Sequence, residues 1–308
     1  MDRRNQLISS MALASLAAGC MFFAPVSSTT AAPKPMSQEI ASPATLVLTG
    51  IVRDFKEKTA PGGHVDFEVT PSRGFAHYSN NIEGTLGADR KPVFKGGGKK
   101  VTKQWSTSAG KAIAFNQYNA ALGDKEGSWD SVVSTGGITS SESFYAWFND
   151  VLGTNMSKPL DITLVKQASG SYVFDSEVDP TYKALGGFFP IENQLFGNPG
   201  GSPNRNFHFT FELHTEFQYV ASENQVFTFR GDDDVWVFIN DKLVIDIGGI
   251  HSAVEQSIQL NRLGLTDGEN YKLDFFFAER HRTQSNFKIT TNLKLETLQM
   301  PDVTMQFD

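Results

Sequence analysis

The chain reads as an all-β protein, and three observations carry that reading. Phe and Gly are both abundant, at 25 and 27 of 308 residues; aromatic side chains pack well on a pleated surface, and Gly closes tight turns. Apolar residues alternate with polar ones through Phe207, Phe209, Phe211 and Leu213, the period of a strand. Two apolar runs, 235–239 (VWVFI) and 243–247 (LVIDI), flank Asn240-Asp241, a two-residue hairpin signal because both residues tolerate positive φ. The length behind the leader suits one large all-β domain or two small ones, with ample material for a core.

Residues 1–32 form that leader. Arg3 and Arg4 precede an uncharged apolar stretch, 7–26, which contains Ser9, Ser10, Ser15, Gly19 and Pro25 and runs into small and Pro-rich residues. This is the layout of a secretory signal rather than of a membrane span. Two processing routes stay open. Leu16-Ala17-Ala18-Gly19-Cys20 resembles a bacterial lipobox that would leave a lipid anchor on Cys20, although Ala17 stands where a larger aliphatic residue is usual; cleavage after Ala31 or Ala32 would release a free protein. Cys20 is the sole cysteine, so the exported domain has no disulfide and must rely on core burial or a bound ion. Residues 33–44 are a Pro/Ser-containing linker, and 299–308 a C-terminal tail.

The body begins near Thr45. Residues 46–53 read as the first strand, and 65–69 (VDFEV) alternate with period two; the Lys-, Gly- and Pro-rich segment between them is a loop. Residues 95–103 (KGGGKKVTK) read as an exposed, flexible basic loop whose spacing does not fit a phosphate cradle. In 143–150 (SFYAWFND) a short helix or turn sets Phe144, Trp147 and Phe148 on one side, as core. Strand patterns resume at 160–164 and 172–174, a long loop covers 188–206, and 207–213 is a strand with one buried and one wet face. His208 and His214 share the wet face but stand about 20 Å apart by strand rise, too far for one metal, and read as surface histidines.

Residues 235–239 are apolar on both faces, which places their strand at the centre of a sandwich, covered on both sides. Asp232, Asp233 and Asp234 are therefore pinned at the leading end of a rigid strand. Each pair of like charges 4 Å apart costs about 1 kcal/mol even in bulk water, so something compensates. A turn in which water and backbone N–H groups solvate the carboxylates is one answer. The other is Ca²⁺, a hard ion that takes carboxylate, amide and carbonyl oxygens, although the spacing is not that of an EF-hand loop. Residues 279–282 (ERHR) close the strand 271–278 and could face the aspartates. Arg280 would then pair with Asp234, or His281 and Arg282 would offer donors to a ligand. Gly248-Gly249 lets backbone approach a ligand or another loop, and His251 beside them has either a structural or a binding role.

Net charge is −7 and the isoelectric point about 5.4, with no extended basic block, which argues against nucleic acid as a partner. Six scattered histidines do not make a zinc site. The sequence has no Gly-x-Ser-x-Gly elbow. Asp233 and Glu279 would serve a glycosidase if their loops met across a cleft; acids that chelate a cation are held ionised, which suits binding better than acid catalysis.

Four separated segments, VRDFK (52–56), NFHFTFEL (206–213), GDDDVWVFINDKLVIDIGGIH (231–251) and FFFAERHRTQSNFKI (275–289), resemble the fibro-slime domain. That family is related to the protective-antigen-type β-sandwich of toxins, glycosidases and cell-surface adhesins. The resemblance covers 45–298 and implies an antiparallel, jelly-roll-like β-sandwich or barrel with long loops and a few short helices. It further implies that Asp232 and Asp233, joined by a cis peptide, hold a calcium whose open positions take sugar hydroxyls. Asp234 stands where the sugar-binding relatives keep Gly, so the ligand set shifts by one if Asp234 takes part. Asn286, Gln284 or Glu279 would supply the second loop's ligand. The expected function is an exported, calcium-dependent carbohydrate-binding or adhesive module without catalysis. Its partner would be an extracellular glycan or a cell-surface or matrix polysaccharide, contacted through Glu279, Arg280, His281, Gln284 and His251. A structural matrix component in which calcium only stiffens a loop is the alternative, and an extracellular glycoside hydrolase the second alternative.

Overall fold

The computed structural model describes residues 42–298. The leader, Cys20 and the C-terminal tail lie outside them. Ten strands build the main antiparallel sheet: β1 (Thr45–Phe55), β2 (Asn155–Lys166), β3 (Tyr172–Asp175), β4 (Phe209–Gln218), β5 (Val226–Gly231), β6 (Asp234–Ile239), β7 (Lys242–Ile247), β8 (Val254–Gln259), β9 (Asn270–Glu279) and β10 (Phe287–Thr291). Their order is β7-β6-β9-β4-β1-β2-β3-β10-β5-β8, and a short segment, Glu296–Thr297, adds to β4. The two ends of this sheet approach each other. Gln256 of β8 donates to the Asp246 carbonyl of β7 and accepts from its N–H, at 3.2 and 2.9 Å. The sheet therefore nearly closes into a barrel, which protects its edges.

Alternation places Leu46 and Leu48, Phe209, Phe211 and Leu213, Val235 and Val237, and Phe275 and Phe277 in one large core. The opposite faces of β6 and β9 are buried as well. Trp236, Phe238, Phe276 and Ala278 belong to a second core that includes Phe55, Phe67 and helix α1 (Ser141–Phe148). The continuous apolar run of β6 follows from having a core on each side. Helix α1 starts with a reciprocal capping box between Ser140 and Ser143 and turns Phe144, Trp147 and Phe148 inward. The hairpin between β6 and β7 has Asn240 and Asp241 at φ 52° and 62°, the mirror-image turn that matches strand twist.

Three local expectations change in the fold. Residues 65–68 form turns rather than a strand, because Asp66 is drawn inward to accept the Trp147 indole N–H at 3.0 Å and the Thr139 N–H at 2.8 Å. Gly98–Lys103 is a strand, not a flexible loop; it pairs with Tyr78–Ser79 and Ser128–Ser134 in a small second sheet. The polar face of β4 is not wet. Segment 56–150 and α1 cover it, so His208 and His214 are buried rather than on the surface. His208 Nε2 meets Glu68 at 2.9 Å and His214 Nδ1 meets Asp274 at 2.7 Å.

Candidate functional site

Strand pairing alone brings three loops to one end of the sheet. Asp234 of β6 opposes Ala278 of β9, and Gly231 of β5 opposes both Phe287 of β10 and Val254 of β8. Val235 opposes Ile247. The crossovers 231–234, 247–254 and 279–287 must therefore lie side by side. Gly231 permits this closeness, because a Cβ there would sit 2.4 Å from the Asn286 carbonyl. Gly249, at φ 91°, does the same against the Tyr78 ring.

The three aspartates are all buried, and they do different work. Asp232 Oδ2 accepts from the backbone and side-chain nitrogens of Asn286, at 2.9 and 2.6 Å, while its Oδ1 is buried without a donor. Asp233 has a left-handed backbone, φ 50°, and accepts from His251 N at 3.1 Å and Arg280 N at 2.9 Å. Asp234 accepts from Gly249 N at 2.5 Å and Arg280 Nε at 2.6 Å. The Asp232–Asp233 peptide is trans: among the described residues the cis peptide bond is Ser202-Pro203. The loop is turned by the positive φ of Asp233, and the cis bond implied by the sequence resemblance does not form.

Arg280 is fully buried. Its guanidinium caps the carbonyls of Asp66, Gly136 and Gly137 at 3.1 to 3.3 Å and lies over the Trp147 ring, 4.7 Å from its centroid. Asp234 and Arg280 thus belong to a structural lock, and neither faces a ligand. The Asp234 carboxylate is matched by a guanidinium from the facing loop. Arg282 is likewise committed elsewhere, to Gly200 O at 2.6 Å and Glu57 at 2.5 Å.

Glu279 is fully buried beside Asp233, and neither of its carboxylate oxygens has a donor. Burial pushes its carboxyl well above the ordinary range, and the neighbouring Asp233 and Asp232 push it further. Burial also raises Asp232 to about 6, against the Asn286 hydrogen bonds, and Asp233 to about 7, against Arg280. Asp234 is raised by burial too, with Arg280 opposing. Of these four acids, Asp234 alone is paired with the buried guanidinium.

Above Asp232 and Asp233 opens a pocket of about 310 Å³, which His251, His281 and Gln284 also line. Three of the five proposed ligand contacts therefore reach it; Glu279 and Arg280 do not. His251 Nδ1 donates to Ser252 O, 2.9 Å away, and its Nε2 is buried and unpartnered; burial drives its pKa down to about 3, so the ring is neutral. Phe75, Ile250, Ser252 and Thr283 complete the lining. Sequence reading missed Phe75, which comes from a loop without periodicity or motif. Among the described residues, the group of three acidic or histidine side chains whose ligand atoms lie within 4.8 Å of one another is Glu57, Glu68 and His208, not the aspartate cluster; Arg282 already counters both carboxylates there.

Residues 193–304 match the family model of the PA14 domain. This is the protective-antigen-type β-sandwich. The PA14 match contains all three loops of the site. The chain is also 36% identical over 238 residues to protein psiD of Dictyostelium discoideum, covering 74% of this chain and 38% of psiD. Identity to psiR is 35% over 258 residues (81% and 21%), and to psiC 33% over 248 residues (78% and 40%), both from the same organism. The chain spans well under half the length of these relatives, and its similarity to them extends beyond the PA14 segment. No solved structure matches it. PA14 domains are often carbohydrate-binding or adhesive modules. Among the described residues no helix is long and apolar enough to cross a membrane.

Proposed function

We propose that this chain is an exported, calcium-dependent carbohydrate-binding or adhesive module of the fibro-slime type, acting without catalysis on an extracellular glycan or matrix polysaccharide. One observation carries the reading. Asp232 and Asp233 line the base of an open pocket, Glu279 is buried behind them beside Asp233, and Asp232 Oδ1 and both Glu279 oxygens are buried with no donor. Orphaned carboxylate oxygens of this kind call for protons or a hard cation, and outside cells calcium is the abundant hard cation. Asp232, Asp233, Glu279 and the Asn286 amide would hold it, and Asp234 would take no part. When bound, the ion supplies positive charge that orients ligand hydroxyls. The chain's own residues shape the pocket, exclude water from its base and fix the carboxylates through the backbone N–H groups of His251, Arg280 and Asn286.

Calorimetric titration of calcium into chelator-treated protein tests the metal. Heat of binding is expected at micromolar to millimolar calcium, and silence at millimolar calcium sinks the claim. A glycan array in calcium and in chelator tests the ligand. Mass spectrometry of the mature N-terminus distinguishes a lipid on Cys20 from release after Ala31 or Ala32.

A structural matrix role is the second reading, favoured by the Arg280 lock, which ties the aspartate loop to segment 56–150 through three carbonyls. It gains if calcium raises the melting temperature while every glycan fails to bind. The hydrolase reading needs Glu279 at the substrate; Glu279 is fully buried outside the pocket lining, and turnover abolished by Glu279→Gln would be needed to revive it.

A further inference from the structure

The pocket over Asp232 and Asp233 has a wall that the aspartates do not require. It consists of Phe75 and His281, whose ring centroids are 4.7 Å apart with planes at 57°. Phe75 is 50% exposed. A single exposed Phe is ordinary, but this one sits on a loop pinned from both sides. Gly74 N donates to Pro71 O at 2.8 Å, and the Tyr78 hydroxyl donates back to Gly74 O at 2.7 Å. Tyr78 N donates to Gly248 O at 2.6 Å, and His77 Nε2 meets Asp246 O at 2.9 Å; both side chains are buried. The flanks are fixed while the ring is half exposed, lining the same pocket as the Asp232 and Asp233 carboxylates. A site with a rigid aromatic wall and a polar base suits a ligand that is apolar on one face and polar along one edge.

We propose that Phe75, backed by His281, is the specificity-determining platform of this site: it packs against the C–H face of one pyranose ring while the ring's hydroxyl edge meets the Asp232–Asp233 base. The inference rests on the glycan-binding reading above and deepens it. A volume of about 310 Å³ lies at the bottom of the range of roughly 300 to 1,000 Å³ for ligand pockets, which is room for a single sugar ring. A quaternary amine would also fit between an aromatic wall and carboxylates; calcium at the base would repel it.

Saturation-transfer NMR on the full chain in millimolar calcium separates these cases, with methyl glycosides of galactose, glucose, mannose and fucose and with tetramethylammonium as probes. At least one glycoside is expected to receive saturation mainly on the C–H protons of one ring face, with upfield ring-current shifts. Phe75→Ala should abolish those shifts and weaken binding about tenfold, Phe75→Trp should keep both, and calcium titration should be the same in all three proteins. The inference is overturned if Phe75→Ala binds the glycoside as tightly as the parent chain, or if tetramethylammonium alone shows Phe75-dependent binding. Calcium binding with no saturation of any glycoside in the parent chain overturns the glycan reading itself, and the platform with it.

Discussion

Two buried groups of charges, one along β4 and β9 and one at the end of the sheet where β6 and β9 meet, are balanced in opposite ways. Toward the middle, Glu212 and Asp274 are met by four basic side chains. Arg53 Nη1 reaches Glu212 at 2.8 Å and Lys91 binds its other oxygen, while Arg90 Nη2 and His214 Nδ1 reach Asp274 at 2.5 and 2.7 Å. Burial would raise Glu212, but His214, Arg53 and Lys91 overcome it and hold its carboxyl down to about 2. At the end of the sheet, four acids lie near Arg280, which pairs with Asp234 alone, and burial raises all of them. The first arrangement is self-sufficient and ties segment 56–150 to the sheet. The second is complete only with protons or a cation, and the surplus lies where a pocket opens. A buried acidic cluster points to a ligand when its counter-charge is missing, not when it is merely acidic.

The largest effect should come from removing the one guanidinium in the deficient group. Arg280→Met leaves Asp234 Oδ2 and three carbonyls without the guanidinium donor, and breaking a buried pair costs about 3 to 5 kcal/mol; urea unfolding in chelator should show that loss or no folded protein at all. Next comes calcium itself. At about a hundredfold excess over Kd, binding adds about 2.7 kcal/mol, which differential scanning should read as a rise of roughly 5 to 10 °C. Asp232→Asn and Asp233→Asn should abolish that rise, and Glu212→Gln should leave it intact.

The two groups should also slope oppositely with pH. A carboxyl with a raised native value holds its proton longer in the folded state than in the unfolded chain. Its contribution is full below the ordinary carboxylate range and is lost as pH rises through about 6 to 7 for Asp232 and Asp233. Glu212 behaves in reverse: its contribution is present above about 4.5 and is lost as pH falls toward 2. In chelator, therefore, Asp233→Asn should flatten the neutral limb of a stability-versus-pH curve, and Glu212→Gln the acid limb. Asp54 and Asp246, both raised by burial to about 7, leave a residual neutral slope in Asp233→Asn. The smallest change is Glu279→Gln, expected to stabilise the chelated protein at neutral pH by about 1 kcal/mol because a buried carboxyl no longer has to hold a proton, and to weaken calcium binding in calorimetry.

Much of the sheet was legible before any coordinates. The alternation of Phe209, Phe211 and Leu213, the apolar run of β6 and the Asn240-Asp241 turn are local signals, and each appears where it was read. The pairing of Arg280 with Asp234 was one of two readings open from sequence, and the loops decide in its favour. What failed locally failed for a tertiary reason. Residues 65–68 alternate like a strand but turn so that Asp66 can reach Trp147, and His208 and His214 look solvent-facing until segment 56–150 is laid over them. The trans peptide at Asp232–Asp233 and the separate roles of the three aspartates depend on atoms from the facing loop, whose positions the strand register sets.

The sequence by itself determined the strands, the main turn and the place where negative charge accumulates, because periodicity, turn chemistry and charge are properties of neighbours in the chain. Only the tertiary structure decided which acid is neutralised, which oxygens are left without donors and that Phe75 lines the pocket that Asp232 and Asp233 line. Those outcomes depend on contacts between β9, segment 56–150 and the 231–234 crossover, up to about two hundred residues apart, and such contacts leave no periodic trace along the chain.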